Sequence, residues 1–252
     1  MEKMLGLPIL ASEHGADVDK FIIYVHWLMG ALFVGWFTFF LYTLWRFRSN
    51  RQKKAEYTGV KSHASSYIEG AVALIEAVLL IGFAIPLWAK VVDNYPDPAN
   101  STVVRVTAEQ FSWNSRYPGA DGTFGRQDFK FMDTSNKFGY DPEDPATLDD
   151  VTPPFKDIRV PVDKPVLIEL TSLDVIHSLA IKPLRVCQDA MPGMKIPVHF
   201  TPTKVGRYMI TCAQLCGSGH YSMNGYLTVQ TPEEFQAWLT QNAAAPSADS
   251  FE

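Results

Sequence analysis

Twenty-five consecutive residues, Phe21 to Trp45 (FIIYVHWLMGALFVGWFTFFLYTLW), contain no Asp, Glu, Lys or Arg. About 20 apolar residues in a helix cross a bilayer core, so this segment is long enough to span with some tilt. A buried core helix is the competing reading. Such helices seldom stay apolar on every face over this length. His26, Gly30 and Gly35 mark a face expected to pack against another helix. A second stretch, Ala71 to Ala89 (AVALIEAVLLIGFAIPLWA), carries one charge, Glu76, and has Pro86 near its far end, where a kink is tolerable.

The segment between the two is basic. Arg46, Arg48, Arg51, Lys53, Lys54 and Lys61 face only Glu56 in opposition. The positive-inside rule assigns this short loop to the cytoplasm and both chain termini to the outer side. The leader agrees, with Glu2, Glu13, Asp17 and Asp19 against Lys3 and Lys20. It carries no clean signal peptide: LGLPILA is short, and neither an A-x-A site nor a lipobox Cys follows. The expected order is a leader over 1–20, a membrane helix over 21–45, a cytoplasmic loop over 46–68, a second helix over 69–92 and a linker over 93–101. A two-pass membrane protein with its remaining domain on the outer side is expected.

Beyond Lys90 the composition changes. Residues 91–252 hold 20 Asp+Glu against 13 Lys+Arg, and the whole chain has a net charge of −5. That excludes a general nucleic-acid binder, which needs a basic surface. Three cysteines are too few for a disulfide scaffold. Short alternating runs (Thr102–Val106, Asp157–Val160, Val166–Thr171, Arg207–Thr211, Tyr226–Val229), punctuated by Pro and Gly, predict a sandwich or barrel over 102–230. Thr231-Pro-Glu-Glu predicts a helix over the start of 231–252, with Thr231 as N-cap, Pro232 at N1 and Glu234 closing a capping box. The tail after Asn242 is expected to fray. Residues 116–156 have little periodicity and read as a surface insertion held by Phe124, Phe129, Phe131, Phe138 and Tyr140. Its acids (Asp141, Glu143, Asp144, Asp149, Asp150) make either a solvated face or a steering patch for a basic partner.

Near the C-terminus stands Cys212-Ala-Gln-Leu-Cys216-Gly-Ser-Gly-His220-Tyr-Ser-Met223. Two thiols, an imidazole and a thioether fall within one short loop, and Gly217 and Gly219 let the backbone fold tightly. Upstream, Asp174-Val-Ile-His177-Ser178 ends on a second histidine. Thiolate, thioether and imidazole together favour copper. A Cys212–Cys216 disulfide and a Cys2His2 zinc site are the alternatives. The first leaves the His and Met spacing unexplained, and the second has no use for Met223. A mononuclear blue-copper site needs one Cys, whereas two thiolates can bridge two copper ions.

The pattern C-x-[E/Q]-x-C-G-x-x-H-x-x-M preceded by D-V-x-H-S resembles the dinuclear CuA site of cytochrome c oxidase subunit II. The resemblance extends to the two N-terminal helices, the basic loop, the segment Gln110-Phe-Ser-Trp113 and the loop Gln188-Asp-Ala-Met-Pro-Gly193. Only the 116–156 insertion departs strongly. It implies a two-helix transmembrane hairpin followed by an all-β cupredoxin-like Greek-key domain. Cys212 and Cys216 would bridge both coppers, and His177 and His220 would each bind one. Met223 and the backbone carbonyl of Gln214 would be weak axial ligands. Gln214 stands where many relatives have a Glu that helps bind a non-redox Mg/Mn ion at the boundary with subunit I; a neutral amide is a poorer ligand for a hard cation. The resemblance further implies that electrons arrive from cytochrome c and pass to haem in subunit I, where oxygen is reduced and protons are translocated. No C-x-x-C-H haem motif is present in this chain, so no catalytic residue of the oxygen chemistry is expected here. A copper-free quinol-oxidase-type subunit II and a membrane-tethered copper carrier are the rival functions.

Further residues carry expectations of their own. Where the family commonly has an electron-accepting Trp, this chain has Phe111, with Trp113 two residues on. On one strand the two would share a face, so either ring could cover the copper site. Glu69 and Glu76 are about 20° apart on a helix, with Glu76 about 10 Å deeper in the membrane. Glu69 matches the family's Glu at the mouth of the proton pathway. The alternatives are an interfacial solvated carboxylate for Glu69 and a hydrogen bond to a neighbouring helix for Glu76. Cys187 reads as a small buried residue near the metal loops. His14, His63 and His199 fit no ligand spacing.

Overall fold

The computed structural model describes residues 5–55, 57–59, 61–153 and 156–243. The chain divides into two compact units, Met1–Leu7 with Asp17–Asn94 and Pro8–Ala16 with Tyr95–Glu252. The tail expected to fray lies outside the described residues from 244 onward.

The first unit is a helical hairpin. Helix α1 runs over Gly15–Arg46 and α2 over Ala64–Leu79. The latter continues through a wider π turn, Leu80–Ala84, into α3, Ile85–Val92. Both helical rods are long and apolar enough to cross a membrane. Their apolar side chains point outward, Phe33 being 66% and Ile81 65% exposed. In water such a surface would be a severe aggregation liability; in lipid it is the solvated face. The π turn has a local cause. Pro86 lacks an N–H, and its ring collides with the carbonyl four residues back, on Gly82. Widening the preceding turn removes the collision without a sharp break. The two rods touch through Tyr24 and Phe83, edge to face at 5.7 Å. Lys90 also donates to Asp17 at 2.9 Å.

Among its described residues the second unit is β-structure with short helical segments, and much of its two sheets follows from alternation in the sequence. Among the described residues its strands are β1 (Thr102–Glu109), β2 (Ser112–Arg116), β3 (Asp157–Pro161), β4 (Val166–Ser172), β5 (His177–Ile181), β6 (Val186–Ala190), β7 (Ile196–Phe200), β8 (Gly206–Cys212) and β9 (Asn224–Gln230). One sheet has the order β2-β1-β4-β7 and the other β3-β9-β8-β5-β6. The pairs β1–β4 and β3–β9 are parallel and the rest antiparallel. Strands β1 and β4 alternate strictly between buried and half-buried residues. Val104, Val106, Ile168 and Leu170 thereby meet Ile158, Ile210, Leu227 and Val229 in one core.

Helix α5 (Pro232–Ala243) closes the sandwich with the capping box read from the sequence. Glu234 N–H donates to Thr231 Oγ1 at 3.2 Å, and Thr231 N–H donates to Glu234 Oε2 at 3.1 Å. Phe235 and Trp238 pack on Tyr117 with ring centroids 6.2 and 5.3 Å away.

The insertion joins β2 to β3 and carries the short helix α4 (Pro145–Asp149). Polar contacts hold it as much as aromatic ones. Arg116 pairs with Asp150 inside the fold, their side chains 4% and 1% exposed, and the Arg116 guanidinium lies 3.8 Å from the centroid of the Tyr140 ring. Burial pushes Asp150 up to about 6 and lowers Arg116, so both partners carry a desolvation cost. Phe138 stacks on Tyr140 and Arg105 covers Phe124. Phe129, expected among the holding aromatics, is instead exposed.

Candidate metal centre

Strand pairing brings the candidate ligands to one end of the five-stranded sheet. His177 opens β5 and Cys212 closes β8, its antiparallel neighbour, with Leu179 opposite Cys212. Ala213 N–H donates to the Ser178 carbonyl at 3.0 Å, which extends the pairing past the strand end. Met223 precedes β9, on the other side of β8, and its carbonyl accepts from Cys212 N–H at 3.2 Å. The loop between Cys212 and Met223 winds through a 3-10 turn over His220–Ser222. Its bonds are His220 N–H to Gly217 O, Ser222 N–H to Gly219 O and Met223 N–H to His220 O.

The side chains converge. The Cys212 and Cys216 sulfurs lie 3.8 Å apart as free thiols. His177 Nδ1 is 4.0 Å from Cys212 Sγ, and His220 Nδ1 is 3.6 Å from Cys216 Sγ. Cys212 Sγ lies 3.1 Å from the Gln214 carbonyl, and Cys216 Sγ lies 3.7 Å from Met223 Sδ. His177, Cys212 and Cys216 offer ligand atoms all within 4.8 Å of one another. A metal–thiolate bond is about 2.3 Å, so one ion can touch both sulfurs at this separation. The donor set of two sulfurs, two imidazoles, a thioether and a carbonyl is compatible with copper.

Environment tunes these donors. Burial, followed by the adjacent Cys212 sulfur, pushes Cys216 up to about 11. The shift favours the protonated thiol, and a metal ion binding there would release that proton. His177 is fully buried, and its Nε2 lies 2.9 Å from Asp174 Oδ1. Donation to that carboxylate fixes the tautomer whose Nδ1 lone pair faces the sulfurs. Burial opposes ionisation of Asp174, but hydrogen bonds from His177, Gln110 and Val175 outweigh it and hold the carboxyl below its ordinary range.

Phe111 and Trp113 do not share a strand face, contrary to the expectation from their spacing. Phe111 sits in the turn between β1 and β2, half-buried against the metal loop. Trp113 lies on β2, wholly inside the core, with its ring 6.3 Å from that of His177. Cys187 is exposed, not buried, because β6 is an edge strand that turns Val186 and Ala190 inward. In the segment Gln188–Gly193, the first three residues belong to β6. Glu69 and Glu76 both lie exposed on α2, in the other unit. The sequence pattern gave no notice of one contact: Gln110 Nε2 donates to the Cys216 carbonyl at 2.6 Å.

Residues 150–230 match the family described as cytochrome c oxidase subunit II, periplasmic domain. The alternative cytochrome c oxidase subunit 2 of Bradyrhizobium diazoefficiens is 30% identical over 225 residues, covering 89% of this chain and 79% of that protein. The chain belongs to the cytochrome c oxidase subunit 2 family. Cytochrome c oxidase subunit 2 of Cereibacter sphaeroides is 29% identical over 241 residues, covering 86% of this chain and 75% of that one. The crystal structure of the periplasmic domain of subunit II of cytochrome oxidase of Bradyrhizobium japonicum aligns with a TM-score of 0.43 at 25% identity, over 59% of this chain and 96% of that one. As a subunit II, the protein is part of an oxidoreductase complex, and its β-sandwich corresponds to the family's periplasmic domain.

The glycines of the metal loop yield a prediction. A Cβ on Gly219 would lie 2.4–2.7 Å from three Phe111 ring carbons. Gly219→Ala should therefore destabilise the domain by about 1–3 kcal/mol through overpacking. In a Phe111→Ala background that cost should largely vanish. Denaturant unfolding of the four-member mutant cycle measures it, and equal costs in both backgrounds would contradict the packing described.

Proposed function

We propose that this chain carries a dinuclear copper centre, CuA, by which subunit II accepts electrons from cytochrome c and passes them toward haem in subunit I. One observation carries the proposal: two free thiols 3.8 Å apart, each with an imidazole nitrogen and a weak third donor beside it. A zinc site would take the thiols and imidazoles and give the Met223 sulfur, 3.7 Å from Cys216 Sγ, no ligand role. When bound, the copper pair supplies a one-electron couple whose charge is shared between two ions. The chain supplies rigidity. Ligands held at the ends of β5, β8 and β9 move little on a change of charge, which keeps the reorganisation accompanying electron transfer small.

The copper proposal predicts that the full chain, loaded and purified, holds two copper ions and shows mixed-valence near-infrared absorption. Cys212→Ser and Cys216→Ser should each abolish that absorption. One zinc and no copper by metal analysis would overturn the assignment.

In this reading Phe111 receives the donor. It lies half-buried over Gly217 and Gly219 of the ligand loop. The acidic insertion is tied to the same turn, since Lys137 Nζ donates to Glu109 Oε1 at 2.7 Å. Residues 116–156 hold five Lys/Arg against eight Asp/Glu, so they steer a basic cytochrome c. Phe111→Leu keeps apolar volume and removes the ring. It should slow second-order reduction by cytochrome c in stopped flow while leaving the copper spectrum in place. Raised salt should slow the reaction of the parent, because the Debye length falls to about 3 Å at 1 M. A rate blind to salt would remove the steering, and an unchanged rate in Phe111→Leu would remove the ring from the path.

The same assignment places the second unit in the periplasm and the basic 46–68 loop in the cytoplasm. Single cysteines introduced at Gln52 and at Ser218, in a chain whose free thiols Cys187, Cys212 and Cys216 are all replaced by Ser, should be labelled by impermeant reagent from opposite sides of the membrane. Labelling of Gln52→Cys from the periplasm would reverse the topology.

A further inference from the structure

We infer that Gln110 is a positioning residue for the metal centre, through which one short turn grips both ligand-bearing loops; this rests on the assignment of a copper centre. The backbone N–H of Gln110 donates to Asp174 Oδ2 at 2.7 Å. The other oxygen of that carboxylate holds His177 Nε2 at 2.9 Å. The side-chain amide of Gln110 donates to the Cys216 carbonyl at 2.6 Å. The ring of the next residue, Phe111, fills the space over Gly217 and Gly219. Two consecutive residues thus reach the loop before β5, which bears His177, and the loop after β8, which bears Cys216 and His220.

The contact to Cys216 matters because the neighbouring residue is a glycine. Gly217 has φ of +135°, a conformation L side chains rarely adopt, and the chain reverses there on its way to His220. With no Cβ to restrict it, this is the softest joint between two ligands. A donor fixed on the carbonyl immediately before the joint holds the direction in which the loop leaves the Cys216 sulfur. The positive end of the same N–H dipole rests on the backbone carbonyl of a ligand residue, in a part-buried contact. It favours the form that holds one more electron and so raises the reduction potential. Gln110 itself is exposed, so changing its side chain opens no core cavity and keeps the backbone bond to Asp174.

The experiment compares the full-length parent with Gln110→Ala and Gln110→Glu. The second keeps the length, loses the donor and sets a carboxylate against the carbonyl. In the copper-loaded chain both variants should show a lower reduction potential, an altered near-infrared band and roughly tenfold faster loss of copper to a chelator. The shift in potential should be larger for Gln110→Glu. In the copper-free chain, amide exchange at Ser218 to His220 should be faster in both variants than in the parent. Variants that match the parent in potential, spectrum and exchange would overturn the role of Gln110. A parent that takes up no copper would refute the copper proposal instead, and the exchange rates of the copper-free chain would still decide the grip.

Discussion

Two backbone hydrogen bonds at the end of β8 govern the arrangement of the whole candidate metal centre. Cys212 N–H binds the Met223 carbonyl on one side, and Ala213 N–H binds the Ser178 carbonyl on the other. They continue the β5–β8–β9 ladder one step beyond the strand ends. The sulfur and imidazole donors are thereby anchored to neighbouring strands or to one loop spanning them. Ladder bonds are short-range and directional, so the register that buries Leu179, Ile210 and Leu227 also fixes the spacing of the sulfurs. A slip of one residue in β8 would turn Cys212 away from His177 and expose Ile210 in the same motion. Core packing and ligand geometry are therefore one constraint.

Burial then decides how the centre behaves chemically. His177, Cys216 and Met223 lie almost wholly inside the protein, whereas Leu215 and Tyr221 on the same loop stand in solvent. These three donors are dry and oriented, Cys212 and His220 are half-buried, and the rim remains available to a partner. Asp174 links the two regimes, since its carboxylate reaches inward to His177 and also accepts from the turn that carries Phe111. An inner imidazole is thus held by a group that also belongs to the outer surface.

Much of this was legible in the residues. The apolar stretches, the capping box at Thr231 and the Cys/His/Met spacing are local signals, each needing only a short window of chain. What escaped depends on tertiary context. Strand β5 is buried at every position, so it has no alternation to read. Phe111 looked like a strand residue because two positions separate it from Trp113. Phe111 lies in the turn with Gln110 and Trp113 on β2, leaving one ring at the loop and the other in the core. Cys187 looked like a buried thiol from its composition class, but an edge strand gave it an outward position. The Gln110 side chain could not be read at all, because its partner, the Cys216 carbonyl, lies 106 positions away and a carbonyl has no sequence signature.

The buried pair of Arg116 and Asp150 limits how this protein can vary. Arg116 closes a strand of the sandwich and Asp150 belongs to the far end of the insertion. Trimming the insertion would strand a guanidinium inside the core, and removing one partner of a buried pair costs about 3–5 kcal/mol. Shortening by gradual deletion from that end is thus blocked, while a joint replacement of both residues by apolar ones would open the way. The segment that looks most expendable along the chain is, by its last acid, riveted to the scaffold, and a descendant lacking it must have changed position 116 as well.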